Sequence, residues 1–427
     1  MPDRTFTAGY VRRVVDDDLD ELFGALPALL LDGPKGVGKT ATGLQRCRTV
    51  RRLDDQAQRA IVAAEPAVVG GDERPVLLDE WQRVPAVWDA VRRLVDDDAT
   101  GGQFLLTGSA PIGGTHSGAG RIAALRMRPL CLYERGPVAA TVSLAALLDG
   151  TARVVSGRSP FGLAEYTDEI VTGGFPGLRH LTGRPLLHQL DGYLERIVER
   201  DLPEAGFTVR RPATIRAWLA AYAAATATSA SWETIRDAAT AGTVDKPAKT
   251  TTIAYAELLT MLRVLDPLEA WFPTRNHLAR LTAAAKHHLA DPALAVRLLG
   301  LTRAHLLRGE QGSAVVPRDG TLLGGLFESL ATLSVRCFAQ HCNARTSHLR
   351  VESGRHEIDL IVERDNAVLA IEVKLSGTIT DHDVRHLVWL RDKLGGDLVD
   401  AAVLTTGPEA YRRPDGIAVI PLALLGP

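Results

Sequence analysis

Lysine is the scarce cation in this chain of 427 residues, with seven lysines against 42 arginines. A lysine at a motif position is therefore chosen against the prevailing cation, and Lys39 and Lys374 both occupy such positions. Cysteine is equally sparse: Cys47, Cys131, Cys337 and Cys342, with no C-x-x-C pair. Four thiols spread over this length argue against a disulfide framework and fit a reducing cytoplasm. Cys337 and Cys342 flank His341, but no third and fourth zinc ligand follow at a usual spacing. No run approaches 18 uninterrupted apolar residues, so no membrane span or membrane partner is expected. Met1–Arg4 is not followed by the apolar stretch of a secretory leader. Charge is nearly balanced, 49 basic against 51 acidic residues, so no overall positive field points to nucleic acid. The remainder is ordinary globular composition, 46% hydrophobic and 23% charged, long enough for about three domains.

Residues 1–152 alternate short apolar runs with helix-compatible stretches. Leu26–Leu31, Pro75–Leu78 and Phe104–Leu106 are the runs, Ala86–Asp97 is helical in pattern, and Thr49–Leu53 is a further strand candidate. That alternation predicts an α/β domain with a parallel sheet. Residues 153–312 look helical: Leu187–Val198 has helical spacing, Ile215–Ala225 is alanine-rich, and Thr250–Leu265 follows the breaker Asp245-Lys246-Pro247. With a strand at Leu268–Phe272, this outlines a winged helix. Residues 313–427 open with an apolar helix at Gly324–Phe338. Two β-rich runs follow, Ile358–Val362 and Val368–Val373, read as a hairpin around Glu363–Ala367, and then strands at Ala401–Leu404 and Ile417–Ile420.

The most specific motif is Gly33-Pro34-Lys35-Gly36-Val37-Gly38-Lys39-Thr40, followed by Ala41, which fits G-x-x-x-x-G-K-[ST] between a strand and a helix. Glycines let main-chain N–H groups close around phosphate oxygens, and the following helix points its positive end at them. Lys39 would reach the β- and γ-phosphates of ATP, and the Thr40 hydroxyl would ligate Mg²⁺. Val76-Leu77-Leu78-Asp79-Glu80 is the partner motif, an apolar strand delivering two carboxylates to the edge where ligands collect. Asp79 would hold the Mg²⁺ through water, and Glu80 would orient and deprotonate the attacking water. Thr107, ending a third strand, can hydrogen-bond that water. Arg121 and Arg128 are candidates for stabilising γ-phosphate charge, in cis or from a neighbouring subunit.

A second constellation lies near the carboxyl end. Asp359 follows His356-Glu357-Ile358 on one strand, and Glu372 and Lys374 end the next, on one face because strand periodicity is two. Asp359 and Glu372 can hold a divalent metal, with Lys374 positioning water and Glu328 of the preceding helix as a further ligand.

These motifs together resemble a prokaryotic family of AAA-fold P-loop ATPases with a carboxyl-terminal domain of unassigned function. The resemblance rests on residues 33–40, Asp79-Glu80-Trp81-Gln82-Arg83-Val84-Pro85, Leu106-Thr107-Gly108-Ser109, and Gly120-Arg121 leading to Arg128-Pro129-Leu130. It continues in Gly173-Gly174-Phe175-Pro176, Tyr193-Leu194-Glu195-Arg196-Ile197 with Arg200-Asp201, Gly325-Leu326-Phe327-Glu328, Glu357-Ile358-Asp359 and Ile371-Glu372-Val373-Lys374. The last set is similar to the PD-(D/E)xK nuclease superfamily. The resemblance implies a nucleotide-driven switch joined through a winged-helix-like region to a nuclease-like module.

Between residues 151 and 312 there are 19 Lys plus Arg against 16 Asp plus Glu, which is no basic stripe. Lys246, Lys249, Arg263 and Arg275 could make a few phosphate contacts. ATP and ADP are the expected ligands. A metal-dependent DNA nuclease, a nucleotide-gated adaptor for a protein partner, and a homo-oligomer all stay open.

Overall fold

The computed structural model describes residues 9–108, 119–209, 211–240, 247–272, 284–307, 320–351 and 354–427. Ser109, Asp245, Lys246 and Arg275, singled out above, lie outside the described residues. The chain divides into two compact units. The first comprises Met1–Pro129, Phe175–Gly177 and Met261–Arg263, and the second holds the rest. Residues 130–152, expected with the amino-terminal domain, cluster with the second unit.

The first unit is built on five parallel strands: β1 Ala28–Asp32, β2 Thr49–Arg52, β3 Val76–Asp79, β4 Phe104–Gly108 and β5 Ile122–Arg126. Their order is β2-β3-β4-β1-β5. Strands β3 and β4 are buried along their whole length, which is why they read as unbroken apolar runs rather than alternating ones. The helix Ala86–Asp97 buries Val87, Ala90, Val91 and Val95 on one stripe, and these join Leu78, Phe104 and Leu106 in a single core. Register then fixes the functional edge. Leu31 lies opposite Thr107, and Asp79 lies opposite the same Thr107, so the carboxyl ends of β1, β3 and β4 finish side by side.

The second unit begins with β6 Val142–Ser143 and β7 Gly157–Arg158, then becomes helical. The alanine-rich helix Pro212–Ala224 buries Ile215, Trp218, Leu219, Tyr222 and Ala223, a stripe that alanine elsewhere on the helix conceals in the sequence. Trp218 and Tyr222 stack, their centroids 5.5 Å apart, and both face Trp232 of the helix Trp232–Ala239. After the helix Lys249–Met261, antiparallel bridges join Leu265 to Leu289 and Leu268 to Lys286. The strand expected over Leu268–Phe272 is confined to β8, Ala270–Trp271, and pairs in parallel with β9, Arg345–Val351.

The remaining strands are β10 His356–Arg364, β11 Ala367–Lys374, β12 Leu398–Thr405, β13 Glu409–Arg412, β14 Ala418–Pro421 and β15 Leu425–Gly426. Eight strands form a mixed sheet in the order β7-β13-β14-β12-β11-β10-β9-β8, while β15 pairs with β6. The hairpin β10–β11 is present as expected. Its turn is tighter than expected, just Asp365 and Asn366, with Asp365 at φ 54, a left-handed conformation that aspartate tolerates. The helix Gly320–His341 packs on β9, β10 and β11. Its segment Leu322–His341 is long and apolar enough to cross a membrane, but most of it is buried within the fold.

Candidate functional site

At the carboxyl edge of the parallel sheet, the phosphate-loop signature closes into a tight cradle. Gly36 and Gly38 adopt φ 79 and φ 100, conformations only glycine takes cheaply. Gly33 is required for a different reason, because a Cβ there would lie 2.1 Å from the Met127 carbonyl oxygen. Lys39 opens the helix Lys39–Leu44 and folds back, its Nζ donating to the carbonyls of Gly33 at 2.7 Å and Pro34 at 2.8 Å. Its ammonium is buried, and that burial lowers its pKa to about 8, against the pull of Glu80 and Asp32.

Beside it, Asp79 Oδ1 accepts from Thr40 Oγ1 at 2.8 Å and from Thr107 Oγ1 at 2.6 Å. Thr40 and Asp79, expected together at a metal, are thus brought together, and Thr107 joins them. Glu80 follows at φ 57, in the left-handed region, and its carboxylate accepts from Gln82 Nε2. Left-handed backbone at a residue with a Cβ is strained, and such strain concentrates at functional sites. Lys35 is half-buried, Val37 is buried, and Ala41 is exposed at the start of the helix. The set fits a nucleotide with Mg²⁺. Main-chain amides are presented by left-handed glycines, one ammonium is buried in the cradle, and a hydroxyl–carboxylate pair is preformed.

Arg121 is not part of this cluster. Its Nε pairs with Asp96 at 2.6 Å on the surface. Arg128 contributes its carbonyl, which accepts from Arg13 Nη2 at 2.7 Å, while Arg13 Nη1 holds the Val37 carbonyl at 2.9 Å. Two other arginines reach the loop instead, through Asp32, the residue before Gly33. Arg263 Nη2 lies 2.7 Å from Asp32 Oδ2, and Arg126 Nη1 lies 3.6 Å from it. Neither has a motif around it. Arg126 could have been found by register, since it is the β5 partner of Asp32, whereas Arg263 arrives from 231 residues away. Arg263 and Lys249, named as able to make phosphate contacts, both have intramolecular partners, Asp32 and Glu233.

The carboxyl-terminal carboxylates also converge. The β10–β11 register puts Leu360 opposite Ile371, so Asp359 sits across from Glu372. A register shift between Ile358 and Ile361 relative to β9 marks an irregularity across Asp359 and Leu360, a device that re-aims side chains. Asp359 Oδ2 accepts from the Val373 main-chain N–H at 2.9 Å, and Lys374 Nζ lies 3.2 Å from Glu372 Oε2. Glu328 reaches the same place from the helix Gly320–His341. The group at the centre is Lys286, another of the seven lysines, with no motif to announce it. Its Nζ lies 2.8 Å from Glu328 Oε1, 2.9 Å from Asp359 Oδ1 and 3.3 Å from Glu357 Oε1.

Burial raises Glu328 to about 8, helped by Asp359 and opposed by Lys286. Burial and the neighbouring Asp359 also push Glu372 well above the carboxylate range. For Asp359, burial is outweighed by Lys286 and Lys374, which hold it ionised. A cavity of about 590 Å³ opens in front of Glu328, Asp359 and Lys374. Elsewhere in this unit, Cys337 meets Cys131 and Glu134, with ligand atoms within 4.8 Å of one another, rather than forming such a group with His341 and Cys342. Glu134 already caps the Cys131 main-chain N–H at 2.9 Å.

Residues 26–135 match an AAA-domain family, residues 163–305 a domain of unknown function (DUF8612), and residues 323–425 a second one (DUF4143). Uncharacterized proteins of Mycobacterium tuberculosis and Mycobacterium bovis are each 27% identical over 285 residues, 64% of this chain. This alignment spans 56% of those relatives' length. A Walker-type ATPase of Pyrococcus abyssi aligns at TM-score 0.41 and 16% identity, over 69% of this chain and 97% of that one. The ORC2 protein of Aeropyrum pernix aligns at TM-score 0.32 and 16% identity, over 70% of this chain and 96% of that one. With loop, sheet order and family match in agreement, residues 26–135 are a P-loop domain of the AAA type.

Proposed function

We propose that this chain binds ATP with Mg²⁺ at residues 33–41 and hydrolyses it, using turnover to switch the state of its carboxyl-terminal domain. The observation that carries the reading is the convergence of Thr40 and Thr107 on one oxygen of Asp79, next to the buried ammonium of Lys39. In this reading the main-chain amides of the loop and Lys39 hold the phosphates. Thr40 ligates the metal directly, and Asp79 does so through water. Glu80 accepts the proton of the attacking water, which Thr107 helps to orient. Bound Mg²⁺ supplies charge neutralisation on the phosphates. Arg126 and Arg263, parked on Asp32, are better placed than Arg121 to meet phosphate charge in cis.

The test uses two variants. Lys39→Ala is expected to lose nucleotide binding, measured with a fluorescent ATP analogue. Glu80→Gln is expected to keep binding and lose phosphate release. Hydrolysis at the unmodified rate in Glu80→Gln removes Glu80 from its role.

For the carboxyl-terminal domain, the nucleotide-gated adaptor is favoured over a metal-dependent nuclease. The favouring observation is that an ammonium, that of Lys286, already lies among the carboxylates a metal would need. DNA or a protein remains the proposed partner of that domain.

A further inference from the structure

We infer that Lys286 is the resident cation of the carboxyl-terminal carboxylate centre, standing where a divalent metal stands in a working nuclease of this kind, so that the intact centre takes up no such metal.

Two observations carry this. First, Glu328, Asp359 and Glu357 all aim a carboxyl oxygen at one ammonium, at 2.8, 2.9 and 3.3 Å. The first two are hydrogen bonds and the third an ion pair, and a Mg²⁺ ion drawing the same oxygens to about 2.1 Å would have to occupy space the ammonium fills. Second, the ammonium is built in. Lys286 is 1% exposed, and its main chain is locked in a two-way ladder with Leu268, both N–H···O contacts at 2.9 Å. The next residue, His287, donates its main-chain N–H to Thr228 O at 2.8 Å and accepts from Ala227 N at 2.8 Å. The backbone that carries Lys286 is therefore held by main-chain pairing, and its side chain is enclosed by the fold. A divalent ion entering from the cavity would meet the Lys286 ammonium already seated among these carboxylates.

The inference is independent of hydrolysis at the P-loop and is tested without nucleotide. The full chain carrying Thr40→Ala, which removes the P-loop metal ligand, is titrated with Mn²⁺, and free Mn²⁺ is read by electron paramagnetic resonance. With Lys286 in place, no saturable site is expected below about 1 mM. Adding Lys286→Met is expected to create one Mn²⁺ site per chain, at least about tenfold tighter, that Asp359→Asn abolishes. A sub-millimolar Mn²⁺ site in the chain that retains Lys286, lost on Asp359→Asn, overturns the inference. So does a Lys286→Met chain with native circular dichroism that gains no Mn²⁺. Should Lys286→Met fail to fold, the comparison with Lys286 in place, with and without Asp359→Asn, decides alone.

Discussion

Thr107 and Asp79 are directly opposite one another on neighbouring parallel strands, and the Thr107 hydroxyl donates to Asp79 Oδ1 at 2.6 Å. Thr40 donates to the same oxygen from the phosphate loop. One carboxylate oxygen therefore ties the loop to the two strands behind it. Replacing Thr107 with Val keeps the β-branched shape and removes the donor. Turnover is expected to fall on the order of tenfold, the worth of one hydrogen bond to a charged group. Nucleotide affinity is expected to change less than about threefold, because Thr40 and Lys39 are untouched. Parallel measurement of kcat and nucleotide Kd checks this.

Lys39 predicts a pH dependence. Without nucleotide its pKa lies near 8, lowered by burial. Phosphate oxygens favour the charged ammonium and raise that value on binding. Below pH 8 the ammonium is already present in the free protein, so affinity is flat. Above pH 8 binding must first take up a proton, and affinity should weaken by up to about tenfold per pH unit. Titration of nucleotide at pH 7, 8 and 9 reads it directly, and unchanged affinity at pH 9 would contradict it.

Glu80 combines a carboxylate with a left-handed backbone. Glu80→Gly separates the two. Relief of strain is expected to leave stability unchanged or raise it by about 1 kcal/mol, while phosphate release is lost. A thermal melt beside an activity assay shows both. A drop of several degrees in Tm would mean the Glu80 side chain holds the fold rather than the chemistry.

Gly33 makes a sharper structural prediction. A Cβ at this position has no room against the Met127 carbonyl, which is main chain and cannot rotate away. Gly33→Ala should destabilise the first unit by about 1–3 kcal/mol or more. Gly177→Ala, where nothing lies within 4 Å, should be silent. Urea unfolding of the two variants gives the contrast.

The parallel sheet and its site were legible because the information is local. The loop from Gly33 to Thr40 and the strand ending in Asp79-Glu80 each carry their chemistry within a few residues. The hairpin carrying Asp359 and Glu372 was legible for the same reason, as β-rich runs flanking a polar turn. Lys286 was not, because it meets Asp359 across 73 residues and sits in a two-bridge ladder too short to leave a pattern. Arg263 was hidden similarly, since its partner Asp32 lies 231 residues away. Arg121 shows the opposite case within this chain. A glycine-rich context made it look like part of the site, whereas Asp96 on a neighbouring helix holds it.

The eight-stranded sheet takes its outermost strands, Gly157–Arg158 and Ala270–Trp271, from far upstream of the six strands they border. A fragment excised from residue 313 onward would leave β13 and β9 with bare pairing edges, open to association with other copies. It would also lack Lys286, leaving Asp359 buried without its nearest ammonium. Studies of the carboxyl-terminal part in isolation would therefore report on an aggregation-prone piece with an artificial appetite for metal.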